Sequence, residues 1–254
     1  MKTLFILAFL CIGTFAQFSK SGQKEIVDFH NTLRSTIAKG KYVAKGTKKQ
    51  AASNMLKIKW DANVAKSAQA FANKCPTGHS GAKGLGENMY WRWSSNAPKD
   101  LNEFGLRASK AWASEFEKYG WKTNKLDGAL FDSGVGHATQ MAWADTGSIG
   151  CGVKNCGKDK NKMYKVAVVC QYKVPGNFMG QDIYKSGTTC SACPSKTKCE
   201  KSTGLCFRSI AINVASMHLS AFQKTTAACP TTQIMIHIYE KCISGLVTKE
   251  LDTA

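Results

Sequence analysis

Apolar residues recur at helical spacing in two early stretches of the chain. Ile26, Phe29, His30, Leu33 and Ile37 mark one face of a helix over 22–39. Val64, Ala68, Phe71 and Cys75 mark another, behind Asp61, a residue suited to cap a helix N-terminus. A third helix is expected over about 100–119, where Asp100-x-x-Glu103 resembles a capping box, and a shorter fourth over about 135–144. Between 163 and 173 the period changes to two. Tyr164, Val166, Val168, Cys170 and Tyr172 share one face, with Lys165, Gln171 and Lys173 on the other, which predicts a strand with one buried face. Residues 149–153 read as its hairpin neighbour, joined through a polar turn over 155–161.

Both ends depart from this pattern. Residues 1–16 combine Lys2, an apolar run over 4–12 and Thr14-Phe15-Ala16, the layout of a signal peptide cleaved after Ala16 and too short to span a bilayer. No other segment is long enough to do so, and a secreted, extracellular protein is expected. Of the 11 cysteines, Cys11 lies in that leader. Cys75, Cys151, Cys156, Cys170, Cys190, Cys193, Cys199, Cys206, Cys229 and Cys242 remain, an even set that reads as disulfides. In 180–206, Cys190-x-x-Cys193, Cys199 and Cys206 sit among Ser, Thr, Lys and Gly with almost nothing apolar to bury. This segment reads as a cysteine-rich hinge held by two cross-links rather than a zinc knuckle. Residues 207–254 carry few charges and read as an extension beyond a main domain of 17–179.

Charge narrows the partners. The formal net charge is +18, from 35 Lys+Arg against 17 Asp+Glu, yet only Arg34, Arg92, Arg107 and Arg208 are arginine. Base and phosphate readout leans on the arginine fork, so a nucleic-acid partner is not expected. Dispersed lysines make a basic surface that attracts anionic glycans, lipid headgroups or acidic proteins.

The candidate chemistry lies in polar groups where periodicity demands core. Glu115 falls on the inward stripe of the third helix after Phe104, Ala108 and Trp112, and a carboxylate there must be paired, protonated or metal-bound. His137 opens the fourth helix. His79 and Glu87 lie in glycine-flanked loops. Two imidazoles and two carboxylates suit either a divalent metal site, zinc above all, or a hydrogen-bonded acid-base cluster. His30 shares the apolar face of the first helix and reads as a core residue rather than a ligand. Tyr90, Trp91 and Trp93 suit either the lining of a cleft or the packing of a sheet, and packing is the expectation.

Four motifs appear in order: His30-Asn31-x-x-Arg34, Gly86-Glu87-Asn88-Met89, Gly136-His137-Ala138-Thr139-Gln140-Met141-Ala142-Trp143, and Cys170-Gln171-Tyr172 followed by Gly176-Asn177. On these residues the sequence resembles the CAP (SCP/TAPS) superfamily, and Cys75-Pro76-Thr77-Gly78-His79-Ser80 with the 190–206 cysteines is similar to its nematode venom-allergen-like members. The resemblance implies an α+β fold, a three-layer α-β-α sandwich around an antiparallel sheet. It implies His79, Glu87, Glu115 and His137 as a central cleft tetrad, and gives His30, Asn31, Arg34, Asn88, Gln140, Trp143, Tyr172 and Asn177 structural roles. It also implies disulfides Cys75–Cys151 and Cys156–Cys170.

Three functions follow as expectations. The first is a non-enzymatic effector binding a sterol, fatty acid or other lipid. The second is a zinc-dependent hydrolase working through the tetrad, the weakest because no nucleophile is paired with a base in an evident motif. The third is a ligand for an extracellular receptor, channel or immune protein.

Overall fold

Ser19 accepts a hydrogen bond from the Gly22 amide and starts helix α1 (Lys20–Ala38), whose buried face carries Ile26, His30, Leu33, Arg34 and Ile37. The computed structural model describes residues 18–208; the expected leader, most of the extension, and Cys229 and Cys242 lie outside the described residues. After a short hairpin, β1 (Val43–Ala44) and β2 (Thr47–Lys48), strand β3 (Lys59–Trp60) leads into α2 (Ala62–Ala72). Asp61 caps α2 by accepting from the Asn63 and Val64 amides, as its sequence predicts. Then come β4 (Gly86–Ser94), α3 (Glu103–Ala113), α4 (Glu115–Tyr119), α5 (Gly128–Leu130), a π-turn (Phe131–Val135) and α6 (Gly136–Ala142). The hairpin β5 (Ser148–Lys158) and β6 (Tyr164–Lys173) and a small ribbon, β7 (Lys198–Glu200) and β8 (Leu205–Phe207), complete the order.

The main sheet has the order β3-β5-β6-β4, antiparallel except that β3 runs parallel to β5. Residues 166, 168, 170 and 172 face α1, α3 and α6 in the larger core, whereas Met89 and Val169 face Ala68 and Ala72 of α2. The result is the expected three-layer sandwich. Helix α2 lies close on the sheet because β5 carries glycine on that face: a Cβ at Gly150 would sit 2.1 Å from the Ala65 nitrogen, and one at Gly152 2.3 Å from the Gln69 Cα.

Several expectations are corrected. Strand β6 is covered on both faces, with 166–172 wholly buried, because it is central in the sheet and α2 covers its second side. Strand β5 continues to Lys158, which confines the turn to 159–163. The third helix is two, broken at Ser114. Asp100 is no helix cap there: its carboxylate accepts from the Asn102 amide, and Glu103 pairs with Arg107.

The disulfides also differ from the implied pairing. They are Cys75–Cys156 and Cys151–Cys170, with Cys190–Cys199 and Cys193–Cys206 in the cysteine-rich segment. Cys151 and Cys170 are direct partners in the β5–β6 ladder and point into the larger core, while Cys75 follows α2 on the other face. The sheet itself stands between Cys75 and Cys151. The segment after Gly180 is not held by cross-links alone. Ile183, Tyr184 and Leu205 are in the core, and Cys206 exchanges backbone hydrogen bonds with Met55 and Lys57.

Candidate functional site

The site grows out of α6 and the buried polar network that fixes it. The Arg34 guanidinium, fully buried, donates to the carbonyls of Leu56, Met141, Trp143, Ala144 and Thr146 at 2.7–3.0 Å. Five oriented carbonyl dipoles replace the water and counter-ion that a buried cation otherwise needs. Asn31 brackets Ile58 with both amide groups, accepting from its N–H and donating to its carbonyl. His30 Nδ1 lies 2.7 Å from the Ile26 carbonyl and therefore donates to it, which leaves Nε2 to accept from the Tyr172 hydroxyl at 3.0 Å. The same hydroxyl accepts from Asn88, whose amide also reaches the His137 carbonyl at 3.1 Å. Gln140 accepts from the Gly176 amide and donates to Thr146. Asn177 donates to the Gly136 carbonyl and accepts from Thr139. Trp143 is buried against Phe178. Of the eight motif residues, seven are linked to α6 or its flanking segments directly or through one another, while Asn31 fixes Ile58; His137 stands on that helix.

The four tetrad residues form two imidazole–carboxylate pairs. In the first, Glu115 Oε1 lies 2.6 Å from His137 Nδ1, and its Oε2 accepts from the His137 and Ala138 amides at 3.0 Å each. Glu115 therefore caps the start of α6, which accounts for a carboxylate on an inward stripe without any metal. The His137 ring stacks on Trp112. In the second pair, Glu87 Oε1 lies 3.0 Å from His79 Nδ1 and accepts from the Ser80 amide, while Oε2 accepts from the Ser80 hydroxyl at 2.6 Å and the Gln171 amide at 2.9 Å. Burial opposes ionisation of Glu87, but the bonds from Ser80, Gln171 and His79 outweigh it and hold the carboxyl below its ordinary range.

Both imidazoles are tethered through Nδ1, so Nε2 is the atom each has left for a ligand. The side chains differ in access: His79 is 62% exposed and His137 37%, against 7% for Glu87 and 15% for Glu115. Glu87 and Asn88 are consecutive on the edge strand β4 and point to opposite faces, Glu87 pairing with His79 and Asn88 reaching the His137 carbonyl. Among the described residues, the only three His, Cys, Asp or Glu groups whose donor atoms gather within 4.8 Å are Cys190, Cys193 and Cys206, all in disulfides. The tetrad is two pairs rather than one closed four-ligand cage.

Sequence reading missed Ser80 and Gln171 as members of the site and took Glu87 for a loop residue. Gln171 was legible in principle, since it stands directly across the ladder from Glu87. What hid it was the absence of alternation in 86–94, which left β4 unrecognised. Ser80, which adjoins His79, gives its hydroxyl proton to Glu87 rather than to an imidazole, so the two do not form a nucleophile–base dyad.

A layered sandwich with paired imidazoles and carboxylates at one strand edge places the chain in a known class of folds. The structure titled NaASP2 with Zn2+ superposes with a TM-score of 0.65 at 39% identity, covering 74% of this chain and 96% of that one. BmVAL-1 superposes with a TM-score of 0.71 at 36% identity, covering 80% and 100%. Residues 27–172 match the model of the cysteine-rich secretory protein family, and the chain belongs to that CAP family. It is 35% identical over 173 residues to the salivary antigen-5 of Dipetalogaster maximus, covering 65% of this chain. It is 37% identical over 185 residues to the Ancylostoma secreted protein of Ancylostoma caninum, covering 70%. The chain spans 66% and 42% of the length of these two curated relatives. No helix among the described residues is long and apolar enough to cross a membrane.

Proposed function

We propose that the chain acts as a secreted, non-enzymatic binding protein whose cleft, at His79 and His137, takes a divalent cation such as zinc and, along an apolar rim, a hydrophobic ligand such as a sterol or fatty acid. The observation that carries this reading is the state of the two carboxylates. Each is committed to its own histidine and to backbone or side-chain donors, and Glu87, held in its ionised form, is a poor general base. Among the described residues no hydroxyl or thiol donates to either free Nε2, so the two imidazoles have no side-chain nucleophile to activate, and the donor set suits holding a ligand rather than turning one over.

Two carboxylate-oriented imidazoles fit a soft-to-borderline cation, which they would hold through Nε2. Two protein ligands are fewer than the four of structural zinc or the three of catalytic zinc, which argues for an exchangeable ion completed by water or a partner. A related structure contains zinc, and relatives bear the names of salivary, venom and secreted proteins, which supports the reading. The rim is built from exposed apolar side chains beside Gly136: Phe131, against which a Cβ at Gly136 would sit at 3.0 Å, and Val174, Phe178 and Met179 on the segment tied to Gly136 by Asn177.

Calorimetric titration with zinc tests the cation. His137→Ala should abolish uptake, Glu115→Gln should weaken it about 10- to 100-fold, and acidification should weaken it because protons compete for the imidazoles. Equal affinity in wild type and His137→Ala would sink the metal site. Lipid extraction from the purified chain, with competition by labelled cholesterol, tests the rim; no bound lipid and no competition would remove the hydrophobic ligand.

A further inference from the structure

The end of the sheet away from the His–Glu pairs has a different chemistry. The hairpin over 148–173 carries six lysines and a single acid, Asp159. Strand register brings its outer part beside the end of β4: Trp93 faces Lys165 and Ser94 faces Tyr164 across the ladder. The Lys165 ammonium lies 5.9 Å from the Trp91 ring centre and 5.8 Å from that of Trp93, and the Lys158 ammonium 5.1 Å from that of Tyr164. Trp93, expected to pack, is instead 43% exposed. Around the corner, a pocket of about 280 Å3 is lined by Arg92, Lys99, Arg107, Phe104 and Tyr164 together with Asp100 and Glu103. Those two acids are occupied: Glu103 by Arg107, and Asp100 by the backbone and side chain of Asn102. Among the described residues no ion pair engages Arg92, Lys99, Lys158, Lys160, Lys162 or Lys165.

We infer that this sheet end is a binding surface for a sulfated polysaccharide, with the lysines of the 158–165 turn and Arg92 meeting sulfates and Trp93 stacking on a sugar ring. Regularly spaced anions on a stiff polymer match cations set along a hairpin, and the exposed indole, flanked by an ammonium, offers a flat apolar face beside the charges. A bilayer fits less well. Trp93 is the one large apolar side chain exposed at this end among the described residues, the others being Val43, Tyr119, Phe131, Val174, Phe178 and Met179, and surface anchoring needs an apolar face as well as charge. The surface is independent of the imidazoles, since Trp93 lies six residues along β4 from Glu87, roughly 20 Å.

Heparin serves as the probe, with the full chain passed over an immobilised heparin surface at increasing salt. Wild type should bind and be displaced by salt; Lys158→Ala/Lys160→Ala/Lys162→Ala should weaken binding about tenfold or more, and Trp93→Ala severalfold. A charge-matched control, Lys122→Ala/Lys125→Ala/Lys185→Ala, should leave affinity within about threefold of wild type. Chelator and His137→Ala should have no effect, which separates this surface from the cleft. Equal losses in the two triple variants would reduce the effect to net charge and overturn the proposal. Loss of binding on chelation would transfer it to the imidazoles and overturn it as well. Binding to phosphatidylserine vesicles with none to heparin, or equal binding to desulfated heparin, would overturn it in favour of a membrane or an uncharged glycan.

Discussion

His30 shows how much of this site is maintained by a residue that touches no ligand. Its full burial pushes its pKa down to about 4, the Ile26 hydrogen bond acting against that shift and the Arg34 charge adding to it. The folded value is below that of an unfolded histidine, near 6.5, so the folded chain binds fewer protons than the unfolded one in between. The stabilisation is therefore fully present above pH about 6.5 and is lost as pH falls toward 4, by up to about 3 kcal/mol. Urea unfolding at several pH values should show wild type losing stability across that window, with His30→Gln losing distinctly less. Parallel curves for the two proteins would refute it. Glu87 acts in the same sense at lower pH: its depressed carboxyl contributes above the ordinary carboxylate range and stops contributing once it is protonated.

At the scale of elements, the glycines of β5 decide how close α2 can lie. A Cβ at Gly150 would meet backbone atoms of Ala65, which cannot rotate away, so Gly150→Ala must lift α2 or bend the strand. A cost of about 2 kcal/mol or more is expected, with faster hydrogen exchange along α2. Gly128→Ala, with open space around it, should stay within about 0.5 kcal/mol. A Gly150→Ala protein as stable as Gly128→Ala would contradict the packing.

The helices α1 and α2 were legible because each buries a single stripe, α2 behind the Asp61 cap, whereas the Ser19 cap of α1 was not read. Strand β4 was not. It is an edge strand, half-buried along much of its length, and Tyr90, Trp91, Arg92 and Trp93 follow one another with no period of two. The break at Ser114 was equally hidden. Glu115 therefore seemed to belong to a continuous inward stripe, whereas it begins a separate helix and caps α6. The tetrad's membership could be read by resemblance, but its division into two pairs depends on which face each residue of β4 takes, and that requires the register.

For the whole molecule, covalent connectivity follows the faces of the sheet. Non-reducing peptide mapping should recover Cys75–Cys156, Cys151–Cys170, Cys190–Cys199 and Cys193–Cys206. A peptide joining Cys75 to Cys151 would mean that the α2 layer sits differently. The bridges are unequal. Cys75–Cys156 spans 81 residues and ties α2 to the sheet, while Cys151–Cys170 spans 19 within a hairpin already zipped by its ladder. Loop-closure entropy favours the longer bridge by roughly 1 kcal/mol.

Arg34 has a consequence for how the molecule comes apart. Its five carbonyl partners belong to two stretches of chain, at Leu56 and over 141–146, the second more than a hundred residues away. A guanidinium drawn halfway from these acceptors would be a cation in the core without compensation, a state costing several kcal/mol. Helix α1 therefore has no partly detached position to rest in. It leaves together with the turn after α6 or not at all, and the layer that supports His137 behaves as a single cooperative unit rather than a peelable edge.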